Sequence, residues 1–340
     1  MRDVAKHAGV SLASVSRVFN QEPTVAGEIA VKVLRAAEEI DYRPNRAASD
    51  LRRRDGRPSS IGLLIQDVSN QFSASLFRAV ENVAHQANVS VLCSNVDEDS
   101  ERERELVDSL LSRRISGLIL VPAGQSQRYL QSEQQSGMPC VFLDRPPTEL
   151  DADCVISDNQ EGAHLGVLHL AEHGHRRIAF IGEPGAHEPA RLRYRGYERA
   201  MRSLDAEVDP ALVRRGLQTE EEARNACLEL FAAKRPPTAL FTAHNRLTLG
   251  AIRALRELGL EERVALVGFD DFELFDLLSP AITVVAQDPG LMGTLGAELL
   301  FRRIAGDDGP ARREVVPVQL IERGSGEIRA PRRRAAAKAR

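Results

Sequence analysis

Two sets of residues in this 340-residue chain have types and spacings suited to chemistry. The first lies in "VSLASVSRVFN" at 10–20. Coiled as a helix, that segment puts Val15, Val18 and Phe19 on one face and Leu12, Ala13, Ser16, Arg17 and Asn20 on the other, with Ser11 as its N-cap. Small side chains on such a face let a helix backbone come close to another surface, and an arginine has the fork geometry to pair with a guanine edge. The second set is a series of polar loops, each directly after an apolar run: "QDVSNQF" at 66–72, "SNVDED" at 94–99, "DRPP" at 144–147, "HNR" at 244–246 and "DDFE" at 270–273. Asp accepts hydrogen bonds, and Asn and His both donate and accept, which suits a ligand bearing hydroxyls. Any one of these loops also reads as an ordinary connection or a helix cap. Their recurrence after apolar runs is what points to a shared site.

The elements that must carry these residues follow from the flanking pattern. "RDVAKHA" is a short helix with Val4, Ala5 and Ala8 on one side, and Gly9 allows a tight turn into the 12–20 helix. Helix, glycine turn and helix within so few residues is the helix-turn-helix pattern, whose second helix enters the DNA major groove; a small helical hairpin with a solvated face is the alternative reading. A third helix over 28–40 closes the core with Ile29, Val33, Ala36 or Ala37, and Ile40, and Pro44 ends it. Residues 45–57 are small, polar and basic, with Leu51 as the lone large apolar side chain. From residue 61, "IGLLI", "VSVLCS", "SGLILVP" and "PCVFLD" alternate with amphipathic stretches, and the pattern restarts with "HRRIAFIG", "TALFTA" and "VALVGFD". That is β-α-β alternation in two rounds, an α/β body of two doubly wound parallel-sheet subdomains, in which ligands bind beyond the carboxyl ends of the strands.

The totals bound the function. Hydrophobic residues make up 43% and charged residues 28%, and no apolar run is long enough to span a bilayer. With no signal-peptide pattern at the N-terminus, the expected location is the cytoplasm, with no membrane partner. Residues 1–57 hold 11 Lys and Arg against 8 Asp and Glu, a net +3; residues 58–330 are net −12 and residues 331–340 are net +5. A basic head on an acidic body predicts a polyanion partner for the head alone, and "PRRRAAAKAR" is read as a disordered basic tail. Cys93, Cys140, Cys154 and Cys227 are scattered and predict buried small side chains rather than disulfides or a metal site. No P-loop, H-E-x-x-H or G-x-S-x-G pattern is present, so no catalytic residues, cofactor or metal are expected. "HGH" at 173–175 reads as the cap of a helix before a strand.

"DVAKHAGVSLASVSRVFN", Val25 and "VLRAAEEIDYRPNRAASDLR" together resemble the head of the LacI/GalR family of bacterial transcription repressors. "GHRRIAFIG", "VALVGFDDF" and "TVVAQDP" extend the resemblance to about residue 326. It implies that Leu12 and Ala13 set operator preference and that Arg17 reads a base. It also implies that Asn45 to Arg52 form a hinge helix ordered on DNA, and that Leu51 is levered into the minor groove. For the body it implies a periplasmic-binding-protein-like core with Asp144, Arg191 and Asp270 on a sugar or nucleobase effector and Phe72, Gln218, His244 and Asn245 around them. Where the family commonly has Asn-Asp, this chain has His244-Asn245.

The expected organisation is a DNA-binding domain over 1–44, a hinge and linker over 45–57, an effector-binding core over 58–330 and a tail over 331–340. Within the core, one subdomain takes 58–157 and 289–316 and the other 158–288 and 317–330, joined by crossings near 157–163, 285–290 and 316–320. The expected function is a homodimeric repressor of carbohydrate-utilisation genes on a pseudo-palindromic operator, switched by a neutral mono- or disaccharide. A sugar-active enzyme and a plain sugar-binding module, each with a degenerate head, are the competing readings. The missing acid/base pair and the head pattern weigh against the enzyme, and the absence of a signal-peptide pattern weighs against the plain binding module.

Overall fold

A computed structural model describes residues 1–19, 25, 27–42, 59–204 and 206–331, in two compact units, Met1–Ser59 and Ser60–Arg340. Asn20, Asn45, Leu51 and Arg52, with the rest of the 45–57 linker and residues 332–340, lie outside the described residues.

The first unit holds α1 (Arg2–Ala8), α2 (Leu12–Phe19) and α3 (Gly27–Glu39). Gly9 caps α1 in the left-handed region at φ 65°, ψ 32°, and its N–H donates to the Ala5 carbonyl. Ser11 Oγ accepts from the Ser14 N–H at 3.1 Å, which satisfies one orphan donor at the start of α2. Val4, Val15, Val33, Ala36 and Ala37 are buried together, with Val18, Ile29, Ile40 and Tyr42 packed around them. So small a core is completed by its rim, where the Phe19 and Tyr42 rings lie 5.9 Å apart.

The second unit contains two six-stranded sheets. In chain order its elements are β1 (Ser60–Ile65), α4 (Gln71–Gln86), β2 (Ser90–Asn95), α5 (Ser100–Ser112), β3 (Leu118–Leu120), α6 (Gln131–Gln135), β4 (Cys140–Leu143) and β5 (Asp153–Ser157). Then come α7 (Asn159–Glu172), β6 (Ile178–Ile181), α8 (Glu188–Ser203), β7 (Val213–Arg214), α9 (Glu220–Ala232), β8 (Ala239–Thr242), α10 (Asn245–Leu258), β9 (Ala265–Phe269) and β10 (Thr283–Ala286). The chain ends with α11 (Pro289–Ile304), β11 (Arg313–Val316) and β12 (Gln319–Ile321). The first sheet runs β11-β5-β4-β3-β1-β2 and the second β12-β10-β9-β8-β6-β7. All pairings are parallel except β10 with β12, which is antiparallel.

Both faces of each sheet are covered, so the strands are nearly continuous apolar runs. On one face of the first sheet Leu63 and Ile65 meet Leu76 of α4 and Leu300 of α11; on the other, Leu64 and Leu120 meet Val107 and Leu110 of α5. In the second sheet Phe180 and Phe241 pack on Val167 and Tyr197, and Leu240 packs on Cys227 and Leu247. The chain passes between the sheets after Ser157, between Ala286 and Pro289, and between Val316 and Gln319.

Beyond the seven apolar runs visible in the sequence, the sheets recruit β5, β7, β10, β11 and β12. β5 is hidden by its first residue, Asp153, an acid at a buried position. Arg303 answers it with two hydrogen bonds of 2.7 Å, and the Arg312 N–H adds one of 2.8 Å. Cys140, Cys154 and Cys227 are buried thiols and Cys93 is half-buried, all four free. Among the described residues no helix is long and apolar enough to cross a membrane.

Helix pairs on the second sheet approach closely through glycine. A Cβ on Gly196 would overlap the Gln160 carbonyl oxygen and lie 2.8 Å from the Ala163 Cβ; Gly250 meets Glu220 and Ala223 in the same way. Gly196→Ala should therefore lower stability by about 1–3 kcal/mol. Urea unfolding measures this, and an unchanged midpoint contradicts the packing argument.

Candidate functional site

The outer face singled out in the head of the sequence lies on α2. Val15 is buried against α1 and α3, which turns the opposite side outward: Ser11, Leu12, Ala13 and Arg17 are exposed and Ser16 is half-buried. Leu12 is a large apolar side chain at 45% exposure.

The carboxyl ends of the strands in the second unit converge on a cavity of about 450 Å³, within the range of small-molecule pockets. Two aspartates mark equivalent places in its two halves. Asp144 follows β4 and Asp270 follows β9, each in the left-handed region, at φ 64° and 71°. Each N–H donates 2.9 Å to the next strand, Asp144 to the Val155 carbonyl and Asp270 to that of Val285. Non-glycine residues held in that conformation store backbone strain, which tends to gather at functional sites.

An arginine stands beside each acid. Arg145 lies with its Nε 3.7 Å from Asp144 Oδ2, and Arg193 NH1 is 3.8 Å from Asp270 Oδ2. Arg193 is locked from three sides: its Nε donates to Asn159 Oδ1 at 2.7 Å, its NH1 to the Ala243 carbonyl at 2.7 Å, and its guanidinium sits 3.9 Å over the Phe269 ring. Gln287 Nε2 donates to Asp270 Oδ1 at 2.5 Å, which leaves Gln287 Oε1 buried without a partner. Burial pushes the Asp144 carboxyl above its ordinary pKa; the neighbouring Asp270 and Glu183 carboxylates add to this, and Arg145 and Arg193 oppose it. Glu98, with a side chain 44% exposed, is held down to about 2: its partial desolvation would raise it, and hydrogen bonds from Arg145 and His187 outweigh that.

The structure gathers most of the sequence-predicted effector residues. Asp144, Asp270, Phe72, Gln218 and His244 line the cavity. His244 caps α10 by accepting from the Arg246 N–H at 3.2 Å through Nδ1, so in the neutral ring Nε2 is the donor. Asn245 is buried behind the wall, where its amide pairs with that of Asn70 at 3.2 and 3.3 Å across the two halves. Arg191 requires correction. It is exposed and does not line the cavity, and its NH1 donates to the Gly185 and Ala186 carbonyls at 3.2 and 2.8 Å. Two residues on, Arg193 takes the place in the cavity, because positions i and i+2 lie on different sides of a helix.

Sequence reasoning missed Arg193, Arg145, Glu98, Gln287, Glu183 and His187, which also line the cavity. Arg145 and Glu98 sit in loops already singled out, and Gln287 in "TVVAQDP". Glu183 and His187 follow β6, an apolar run whose outgoing loop carried the same signal. Further polar links cross the cavity mouth: Arg246 pairs with Asp67, and the Glu273 N–H donates to Gln71 Oε1 at 2.8 Å.

Elsewhere, "HGH" forms the turn expected of it. His173 ends α7, and His175 Nε2 bonds to the Ile328 carbonyl at 2.7 Å. By ligand type, His169, Glu322 and Glu327 are the metal-capable group among the described residues. Glu327 is already engaged by His169, Thr283 Oγ1 and the Gly324 N–H.

Comparison with known proteins gives the same outline. Residues 1–45 match the family model "Bacterial regulatory proteins, lacI family", and residues 167–326 match the "Periplasmic binding protein-like domain". The chain is 35% identical to the HTH-type transcriptional regulator PtxS of Pseudomonas aeruginosa, over 96% of this chain and 95% of that protein. It is 30% identical to the ribose operon repressor of Escherichia coli K12, over 96% and 99%. Among solved structures, a lac repressor dimer bound to operator and the anti-inducer ONPF matches with a TM-score of 0.84 at 29% identity, covering 95% of this chain and 98% of that one. A helix-turn-helix head joined to a two-sheet binding core defines a ligand-responsive DNA-binding regulator. The chain belongs to the LacI family of bacterial regulatory proteins.

A buried carboxylate with a raised pKa costs stability once it ionises, because the folded state then holds its proton more tightly than the unfolded chain does. The contribution is favourable below the ordinary value of 3.8 and is lost as pH rises through the raised value. Asp144→Asn removes that charge and keeps the shape, so the variant should unfold at a higher temperature than the parent at neutral pH. The gap should close as pH falls toward 3.8. Thermal unfolding from about pH 4 to pH 8 checks this, and a variant less stable at neutral pH contradicts it.

Proposed function

We propose that this protein is a dimeric repressor whose α2 reads a pseudo-palindromic operator and whose cleft closes on a neutral sugar to change operator affinity. The observation that carries the effector reading is the facing pair Asp144 and Asp270, each strained, each beside an arginine, on opposite walls of one cavity. Carboxylates accept and do not donate, so two of them suit a ring of hydroxyls and repel an anion. Phe72 offers an apolar surface to a sugar face, and His244 Nε2 and Arg193 supply donors. The names of two relatives support the same direction, one a ribose operon repressor and one a lac repressor dimer on its operator. A two-fold dimer requires a two-fold site. The segments between the sheets at 157–159, 286–289 and 316–319 are the hinge on which such a cleft opens and closes.

In the head, Leu12 and Ala13 set base preference, Arg17 contacts a guanine, and Ser11 and Ser16 approach the backbone of the groove. Arg17→Ala should cost about 1–3 kcal/mol on an operator selected from random duplexes, and much less on unselected DNA. Fluorescence anisotropy on the two duplexes measures the difference; equal losses on both contradict base reading.

In the cleft, Arg193→Gln should weaken binding of a neutral sugar by roughly 10- to 150-fold, the worth of a hydrogen bond to a charged group. Arg191→Ala should leave it unchanged. Calorimetry decides between the two arginines, and the opposite pattern returns the role to Arg191.

A further inference from the structure

We propose that Glu98 sets the charge class of the ligand: it occupies Arg145 and so closes the cleft to carboxylates and phosphates. The proposal deepens the neutral-sugar reading of the same cavity and rests on it. Arg145 is the cation beside Asp144, with a side chain only 12% exposed. Left to itself, a guanidinium so placed is a ready fork for a carboxylate or phosphate. Glu98 fills that fork from inside the protein, with Arg145 NH1 and NH2 donating to its two oxygens at 2.7 and 2.6 Å. The remaining NH1 capacity goes to the Pro122 carbonyl at 2.8 Å. Of the two N–H groups that remain, the one on Nε is buried and faces Asp144 Oδ2 at 3.7 Å, so the second N–H of NH2 is the donor left to a ligand rather than a two-pronged fork.

The chain accepts strain to put Glu98 there. Asp97 and Glu98 are consecutive non-glycine residues in the left-handed region, at φ 53° and 58°. The turn is pinned by hydrogen bonds to Gln66 from both N–H groups, Asp97 to its carbonyl at 3.0 Å and Glu98 to Oε1 at 2.9 Å. From the opposite wall His187 Nε2 reaches Glu98 Oε2 at 3.2 Å, so the acid is held from both halves when the cleft is as seen. An anionic ligand reaching for Arg145 must displace Glu98, which then stands as a like charge beside it. Selectivity of this kind comes from a repulsive element built against the wrong ligand, not from a better contact to the right one.

Removing the charge at Glu98 frees the fork. The test is calorimetric titration of the full chain and of Glu98→Gln with two matched pairs: D-glucose with D-glucuronate, and D-ribose with D-ribose 5-phosphate. The ratio of anion to neutral affinity should rise at least about ten-fold in Glu98→Gln for one of the pairs. The double variant Glu98→Gln, Arg145→Gln should lose that gain, which ties it to the freed arginine rather than to a looser cleft. Glu98→Ala makes the same prediction, so misfolding of one variant does not decide the matter. A parent protein that prefers the anion, or folded Glu98 variants with an unchanged ratio, overturns the proposal. Failure of the parent to bind any neutral sugar sinks the effector reading instead, and a gain of anion binding in the variants still supports the role of Glu98.

Discussion

Asp144 and Asp270 stand at the ends of strands that are otherwise almost wholly apolar, and a carboxylate in such a place must be met by a cation or lose its charge. Much of the second unit follows from that requirement. Arg145 and Arg193 answer the two acids, and each arginine must in turn be fixed. Arg193 is fixed by Asn159, the first residue beyond a crossing between the sheets, and by the ring of Phe269, the last residue of β9. A charge lining the cavity is thus wired to the place where one half of the core gives way to the other.

The walls of the cleft meet through polar links, among them Asn70 to Asn245, Asp67 to Arg246, Gln71 to Glu273 and Glu98 to His187, and the apolar clusters of the second unit among the described residues lie within one half or the other. Separate apolar clusters fill each half, and the part-exposed ion pairs Asp67 to Arg246 and Glu98 to His187 are individually weak in contact with water. A ligand that bridges Asp144 and Asp270 adds contacts made only when the halves are together, which is the differential affinity a population shift requires.

How much of this was legible in the sequence depended on how local the signal was. The head was readable almost throughout, because a glycine in the left-handed region, a serine cap and the spacing of Val15 and Val18 are determined within a few residues. The parallel strands were readable as apolar runs, but β5 was not, since Asp153 is tolerated only because Arg303 lies 150 residues away. The site showed the same limit. Strand-end loops announced Asp144 and Asp270, yet choosing Arg191 over Arg193 in "ARLRYRGY" is a matter of helix phase, which the start of α8 at Glu188 sets and the motif does not. Glu98 was visible as an acid in a loop, but its meaning lies in the arginine it faces across the chain.

The central claim is that occupation of the cleft by a neutral sugar is read at the DNA. An equilibrium titration of the full chain against a selected operator, with and without each of a panel of neutral sugars, sugar acids, sugar phosphates and purines, tests it most directly. The account predicts that at least one neutral sugar shifts operator affinity about ten-fold or more, the scale of a coupling free energy between two sites, while the anions leave it unchanged. Operator affinity that responds only to an anion or a purine, or to nothing in the panel, would contradict it.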